Sequence, residues 1–161
     1  MLTPIVAIVG ALIVGLMIVG VIFVLGMRAK SPRMLATFRR VIRAIFNPWQ
    51  MRSAGAPRAN VAVIQHRGRT SGKLYETPVG AEATEDGFVI ACPYGPNTDW
   101  LKNVLASGSA TVVKEGLTYP VDRPELIPME AAATYFGASD QRGFRVLRID
   151  HCLHVRRAKP G

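Results

Sequence analysis

The sequence predicts a mainly β, α+β domain: a small barrel or strongly curled antiparallel sheet with short helices. A transmembrane helix and a basic amphipathic helix precede it. Three observations carry this expectation. Residues 5–27 contain no charged side chain. From about residue 60, short alternating segments follow one another, bounded by Gly, Pro and Asp. Only two short helical patterns interrupt those segments, which favours a barrel over a layered α/β fold.

The first element is the apolar run IVAIVGALIVGLMIVGVIFVLGM, residues 5–27. At about 1.5 Å per residue such a helix is roughly 30–35 Å long, enough for a hydrocarbon core. A cleaved signal peptide would need a positive n-region and a shorter apolar core. No Lys or Arg precedes the run, and Arg28-Ala29-Lys30 follows it. Residues 1–30 are therefore expected to be a membrane anchor.

Charge is distributed unevenly. Eleven basic residues, from Arg28 to Lys73, come before the first acid, Glu76, and the remaining nine bases face all eleven acids. The net charge of +9 thus resides just after the apolar run. Positive flanks stay on the cytosolic side, which predicts an outside N-terminus and a cytosolic domain. Anionic lipid headgroups account for the basic excess without invoking nucleic acid. In a cytosolic domain Cys92 and Cys152 are expected to be reduced and buried.

Residues 31–59 form the second segment. In 34–46, MLATFRRVIRAIF, apolar Leu35, Phe38, Val41, Ile42 and Ile45 recur at helical spacing, with Arg39, Arg40 and Arg43 mostly opposite. This predicts a basic amphipathic helix at a membrane interface or over the domain, ended by Asn47-Pro48. Residues 51–60, MRSAGAPRAN, read as a linker.

The third segment, residues 60–161, is the predicted barrel domain. VAVIQH at 61–66 is a strand, Arg67 to Lys73 a turn, and Leu74 to Thr84 a second strand. Glu85-Asp86-Gly87 contains a hairpin signal leading into a strand from Phe88 to Cys92. Asn97 to Ala106 is a short helix that Asn97 or Thr98 can cap and Ser107-Gly108 ends. SATVVK at 109–114 and LTYPVD at 117–122 form a hairpin, with Pro120 pushing the second strand to an edge or a bulge. Met129 to Phe136 is a helix stopped by Gly137, and Phe144 to Arg157 alternates as one or two final strands.

Several chemistries find no support. His66, His151, Cys152 and His154 are metal-ligand types, yet His151 and Cys152 are adjacent in a strand and point to opposite faces. No CxxC, HExxH, GxSxG or GxxxxGK[ST] pattern occurs. The turn Gly68-Arg69-Thr70-Ser71-Gly72-Lys73 is more suggestive. Backbone N–H groups of a Gly-rich turn can cradle an anion, with hydroxyls and two cations beside them. By residue type alone a basic hairpin turn in water is the stronger of the two readings, since a short Gly-rich turn is a weak motif.

Taken in order, these pieces resemble a known family. A strand leads into Gly-Arg-x-Ser-Gly, then a strand carrying Thr77-Pro78-Val79, then Asp99-Trp100-Leu101-Lys102-Asn103-Val104-Leu105-Ala106-Ser107-Gly108. This ordered set, across roughly residues 60–157, is similar to the deazaflavin-dependent nitroreductases and quinone reductases. The resemblance implies a split β-barrel and coenzyme F420, with FMN the less favoured cofactor. It implies that Arg69, Thr70, Ser71, Gly72 and Lys73 hold the coenzyme's phosphate. Ala91, Cys92, Pro93, Tyr94 and Gly95 would line the deazaflavin ring, and Trp100 and Asn103 would sit beside it. Tyr94 and Tyr135 are the best available proton donors to a reduced acceptor. Well-studied members have a longer loop before the Trp helix, carrying a coenzyme-binding Lys, where this chain has Tyr94-Gly95-Pro96. With the anchor, the expected acceptor is lipid-soluble, such as a quinone or an unsaturated acyl chain. The alternative is a non-redox lipid or fatty-acid carrier on the same fold. Barrels of this kind often pair, so a homodimer is expected.

Overall fold

The computed structural model describes residues 2–159, with side chains from residue 5 onward. Met1, Pro160 and Gly161, which close the outer segments of the expected organisation, lie outside it. Helix α1, Leu2–Ala29, is apolar all round and exposed along most of its length. Its portion Ile5–Ala29 is the one helix among the described residues long and apolar enough to cross a membrane.

A tight turn at Lys30 reverses the chain into α2, Pro32–Val41. The crossing with α1 depends on Gly26, where an added Cβ would lie 2.6 Å from Met34 Cε and 2.7 Å from Phe38 Cε2. The rings of Phe23 and Phe38 meet there, centroids 5.1 Å apart. Asn47-Pro48 does not end this helix. A π-helical turn, Ile42–Phe46, leads straight into α3, Asn47–Gln50. Proline lacks the N–H of a helical bond, and its ring crowds the carbonyl four residues back; a widened turn relieves both. Arg39 also departs from expectation, since it turns inward and donates from Nη1 to the Asn97 carbonyl at 3.1 Å. The anticipated linker is a packed turn. Gly55, at φ +75°, is buried against Val113, and its carbonyl accepts from Gly116 N–H at 2.6 Å.

Seven strands form one antiparallel sheet: β1 Ala62–Arg67, β2 Leu74–Val79, β3 Ala81–Ala83, β4 Gly87–Ala91, β5 Ser109–Lys114, β6 Leu117–Pro128 and β7 His151–Arg157. Their order is β2-β1-β5-β6-β7-β4-β3. β2 and β3 are separated by Gly80 alone, yet they lie at opposite edges of the sheet. The sheet must therefore curl until its edges meet at that glycine, which makes it a curled half-barrel. The anticipated single strand from Leu74 to Thr84 is split for this reason. Lys114 of β5 reaches across the closure to the Ala81 carbonyl and to Glu82.

β6 is central, not an edge, because it pairs with both β5 and β7. Pro120 is tolerated because its carbonyl, and so its missing N–H, face the β7 side just where that strand ends, and the carbonyl accepts from Ala158 N–H at 2.9 Å. The irregularity falls later in the strand, between Asp122 and Glu125.

Helix α4, Asp99–Ser107, packs Leu101 and Val104 into the barrel beside Ile64, Phe88, Ile90, Val112 and Leu153. Gly108 closes it at φ +70°. On the outer face, Val89 and Cys152 lie under α5 Met129–Ala132, a 3₁₀ turn at Ala133–Tyr135, and α6 Ala138–Leu147. Strands β4 and β7 are therefore buried on both faces. Helix α6 corrects the expected strand at Phe144. Phe144 and Leu147, three residues apart, pack on the same outer cluster, and only residues 151–157 are strand.

Candidate functional site

The Gly-Arg-x-Ser-Gly turn joins β1 to β2 and is closed by its own backbone. Gly68 N–H donates to the Lys73 carbonyl, and Gly72 N–H to the Gly68 carbonyl, both at 2.8 Å. Gly72 adopts φ +64°, and Gly68 leaves room for Ser71 and Tyr75, since a Cβ there would lie 2.4 Å from Ser71 Oγ and displace that side chain. Arg69 locks the turn to α4. Its backbone N–H (3.1 Å) and Nη1 (2.9 Å) both donate to Asn103 Oδ1, and its Nη2 donates to Asp99 Oδ1 at 3.0 Å. The two motifs, 34 residues apart in the chain, thus meet through one guanidinium.

The lock continues inward. Asn103 is buried, and because its oxygen accepts from Arg69, its Nδ2 donates to His66 Nδ1 at 3.2 Å. His66 must then carry its proton on Nε2, which donates to Thr77 Oγ1 at 3.2 Å. The imidazole is 4% exposed and stacks near Tyr75, with centroids 5.9 Å apart. Burial pushes its pKa below the usual histidine value, so it is held neutral. The Tyr75 hydroxyl in turn shares a hydrogen bond with Ser71 Oγ at 3.2 Å.

Thr70, Ser71, Gly72 and Lys73 are exposed. Among the described residues, the bonds within and onto the turn use the N–H groups of Gly68, Arg69, Gly72 and Lys73. Those of Thr70 and Ser71 stay available, with two hydroxyls and the Lys73 ammonium beside them. This donor set suits a phosphate-type anion. Arg69 is committed to Asp99 and Asn103, so its part is to hold the turn in place.

Residues 91–95 take a different position. Ala91 ends β4, paired with Cys152. Cys92, Pro93, Tyr94 and Gly95 line a cavity of about 260 Å³. Its roof is the base of α1 and the start of α2, with Met27, Lys30, Leu35 and Arg39; Ile149, Asp150 and His151 close it below. Helix α1 and the turn after it are bound here by Arg28 Nη1 to the Val146 carbonyl at 3.0 Å and by an ion pair of Lys30 with Asp150. Tyr94 is half-buried, and burial raises its phenol pKa, so it remains a proton donor. Cys92 and Cys152 are free and buried; burial pushes both thiols up to about 12, which makes them poor nucleophiles. Trp100 is half-buried against the barrel core. Tyr135 is exposed on the outer helical layer and is not among the residues that line the cavity.

The turn and the cavity are linked through the head of α4. Asn97 lines the cavity and holds Arg39, while Asp99 holds Arg69. Between them Thr98, at the N-cap, is buried, and its Oγ1 has no partner among the described residues. His66, Thr77 and Tyr75 are site residues that sequence reasoning missed as a unit. Strand alternation, which sets His66 on the same face as Ala62 and Ile64, is the signal the sequence carries for it.

No protein-family model matches the chain, and no curated protein matches it by sequence. Solved structures do resemble it. One described as a domain-swapped dimer aligns at a TM-score of 0.50 and 14% identity, covering 78% of this chain and 100% of that one. The protein Atu2129 of Agrobacterium tumefaciens, of unknown function, aligns at 0.47 and 17% identity, covering 63% of this chain and 49% of that one, so this chain spans about half its length. A candidate 5-nitroimidazole antibiotic resistance protein of Bacteroides thetaiotaomicron aligns at 0.43 and 12% identity, covering 63% and 75%. At such identities the likeness concerns architecture alone, and that architecture is the split barrel.

Proposed function

We propose that this chain is a membrane-anchored oxidoreductase that takes hydride from reduced coenzyme F420 and passes it to a lipid-soluble acceptor, a quinone or an unsaturated acyl chain. One observation carries the reading: Arg69 brings the Gly-Arg-x-Ser-Gly turn onto the Asp-Trp-x-x-Asn helix through Asp99 and Asn103. The bound coenzyme would supply the hydride chemistry. The chain's own residues bind, orient and exclude water. Thr70, Ser71 and Lys73 with two free N–H groups receive a phosphate. Arg69, Asn103 and His66 keep that turn in one conformation. The cavity walls formed by Met27, Leu35 and Ile149 would exclude water, and Tyr94, which lines the same cavity, would give a proton to the reduced acceptor.

The same reading places α1 across the bilayer with the barrel on the cytosolic side, supported by the eleven bases that precede any acid. It also includes pairing of two copies, supported by the fold shared with a domain-swapped dimer. The apolar and basic lining of the cavity under the anchor favours a second reading, a non-redox carrier of an anionic amphiphile.

Titrating the full chain in lipid nanodiscs with reduced coenzyme F420, then with an embedded quinone, separates these. Saturable binding followed by coenzyme oxidation is expected. Absence of coenzyme binding, with retention of a fatty acid, would establish the carrier. Yellow protein with a flavin spectrum on purification would establish FMN.

A further inference from the structure

Helix α2 through α3 is one continuous helix from Pro32 to Gln50, and its apolar residues are divided between two directions. Leu35, Phe38 and Ile42 are half-buried, Phe38 against α1 and Leu35 in the cavity wall. Val41, Ile45, Phe46 and Trp49 are exposed, Ile45 by 62% and Trp49 by 67%. Val41, Ile45 and Trp49 are spaced four residues apart, so they line up as a ridge. Arg40 and Arg43, on other faces of the same helix, are also exposed. Val41 precedes the π-helical turn at Ile42–Phe46 and Trp49 follows it, so the ridge runs across that turn.

We propose that this ridge is sunk into the cytosolic leaflet of an anionic membrane, giving the barrel a second membrane contact besides α1. The inference rests on α1 spanning the bilayer, and it adds the depth and face of the helix that follows. Depth comes from the crossing. A hydrocarbon core of about 30 Å takes up about 20 residues of α1. Counted from Ile5, that length ends near Val24. Phe38 meets α1 at Phe23 and Gly26, and therefore sits where acyl chains give way to headgroups. A helix crossing the anchor at that depth runs along the interface, where Trp and Phe are favoured.

Charge decides the occupant. Eight bases and no acid occur from Arg28 to Arg58. Arg28, Lys30 and Arg39 are turned to the barrel, bound to Val146, Asp150 and Asn97. Arg40 and Arg43 have no acidic partner among the described residues and are exposed, and long arginine side chains can reach lipid phosphates from the sides of a helix lying in the interface. A second copy of the chain docking by the same face would oppose arginine to arginine across a two-fold axis. An anionic leaflet reverses that sign.

Trp49 is a built-in probe, because Trp100 is the only other tryptophan. The full-length Trp100→Phe variant would be reconstituted in vesicles of phosphatidylcholine and phosphatidylglycerol carrying spin-labelled acyl chains. We expect Trp49 emission to be quenched several-fold more by a label near the headgroup than by one at the acyl terminus. Aqueous iodide should have little effect. Strong iodide quenching with no lipid quenching would overturn the proposal. Protection from both quenchers would also overturn it, and would assign the ridge to a second copy. If Trp100→Phe does not fold, the difference between wild type and Trp49→Phe reports the same quantity. The anchor itself is tested by Ile13→Trp in a Trp49→Phe, Trp100→Phe background. Quenching there by the deep label, with Trp49 in water, would leave the anchor standing and remove only this inference. Arg40→Gln with Arg43→Gln should lower the shallow-label quenching of Trp49 in anionic vesicles.

Discussion

Replacing Asn103 with alanine tests whether the Gly-Arg-x-Ser-Gly turn and the Trp helix behave as one unit. The amide makes three bonds: two accepted from Arg69 at 2.9 and 3.1 Å, and one donated to His66 at 3.2 Å. A bond from a charged donor contributes about 1.5–3 kcal/mol and a neutral one about 0.5–1.5 kcal/mol. Arg69 keeps Asp99, and its side chain is 37% exposed, so water replaces part of its loss. His66 is buried and is left with an unsatisfied nitrogen. A net destabilisation of about 2–3 kcal/mol follows. For a barrel of this size that corresponds to roughly 8–20 °C in Tm. Thermal unfolding of the full chain in detergent, followed by near-UV circular dichroism, measures it. Lys102→Ala, on the exposed face of the same helix, is the control. Equal shifts for the two variants would refute the idea that the turn is held by this amide.

The pH dependence gives the same reasoning an independent check. The folded-state pKa of His66 lies below the unfolded value of 6.5, so the unfolded chain binds the extra proton first. Its contribution is whole above pH 6.5 and is lost as the pH falls from there through the folded-state pKa. In Asn103→Asp, a carboxylate would face Nδ1 and favour the imidazolium. The sign of the His66 contribution should then reverse, with Tm gained on going from pH 7.5 to 5.5. An unchanged slope would mean that residue 103 does not face the ring.

Three further outcomes are expected. Lys73→Ala, at an exposed cation that holds nothing of the fold, should weaken coenzyme F420 binding by roughly 10–150-fold, about 1.5–3 kcal/mol, with Tm unchanged; wild-type affinity would remove the turn as the phosphate site. Gly87→Ala should abolish folding, because its Cβ would lie 1.9 Å from the Val155 carbonyl oxygen and 2.8 Å from Arg156 Cα, both backbone atoms of β7; a soluble barrel with near-native Tm would contradict the β4–β7 register. Burial works to raise the Asp86 pKa, but hydrogen bonds from Thr84, His154 and Arg156 outweigh it and hold the carboxyl at about 2. Its contribution is present above pH 3.8 and lost as the pH falls through about 2, so Asp86→Asn should flatten acid unfolding in that window.

Much of this architecture was legible in the sequence because its signals are local. The apolar run of α1, the strand 109–114 and the Gly108 stop each depend on a few adjacent residues. The ordered motifs pointed to Arg69, Trp100 and Asn103 as neighbours of one site. What the sequence alone determined, then, was the type of most segments, where the signal is local, and which turns carry donors. The tertiary structure decided what depends on a distant partner. Gly80 splits one apparent strand because its two halves form the opposite edges of a closing sheet. Pro120 sits in a central strand because its missing N–H falls where β7 ends. The alternation at Phe144 suits a strand equally well, and only the outer face of the sheet, already covered at Val89 and Cys152, selects the helix that packs Phe144 and Leu147 on it. Arg39 turns inward because the Asn97 carbonyl is there to receive it. His66 looked like a metal ligand by type, but a buried imidazole takes its role from the groups on either side. Those are Asn103 and Thr77, 37 and 11 residues away, and no spacing rule connects them.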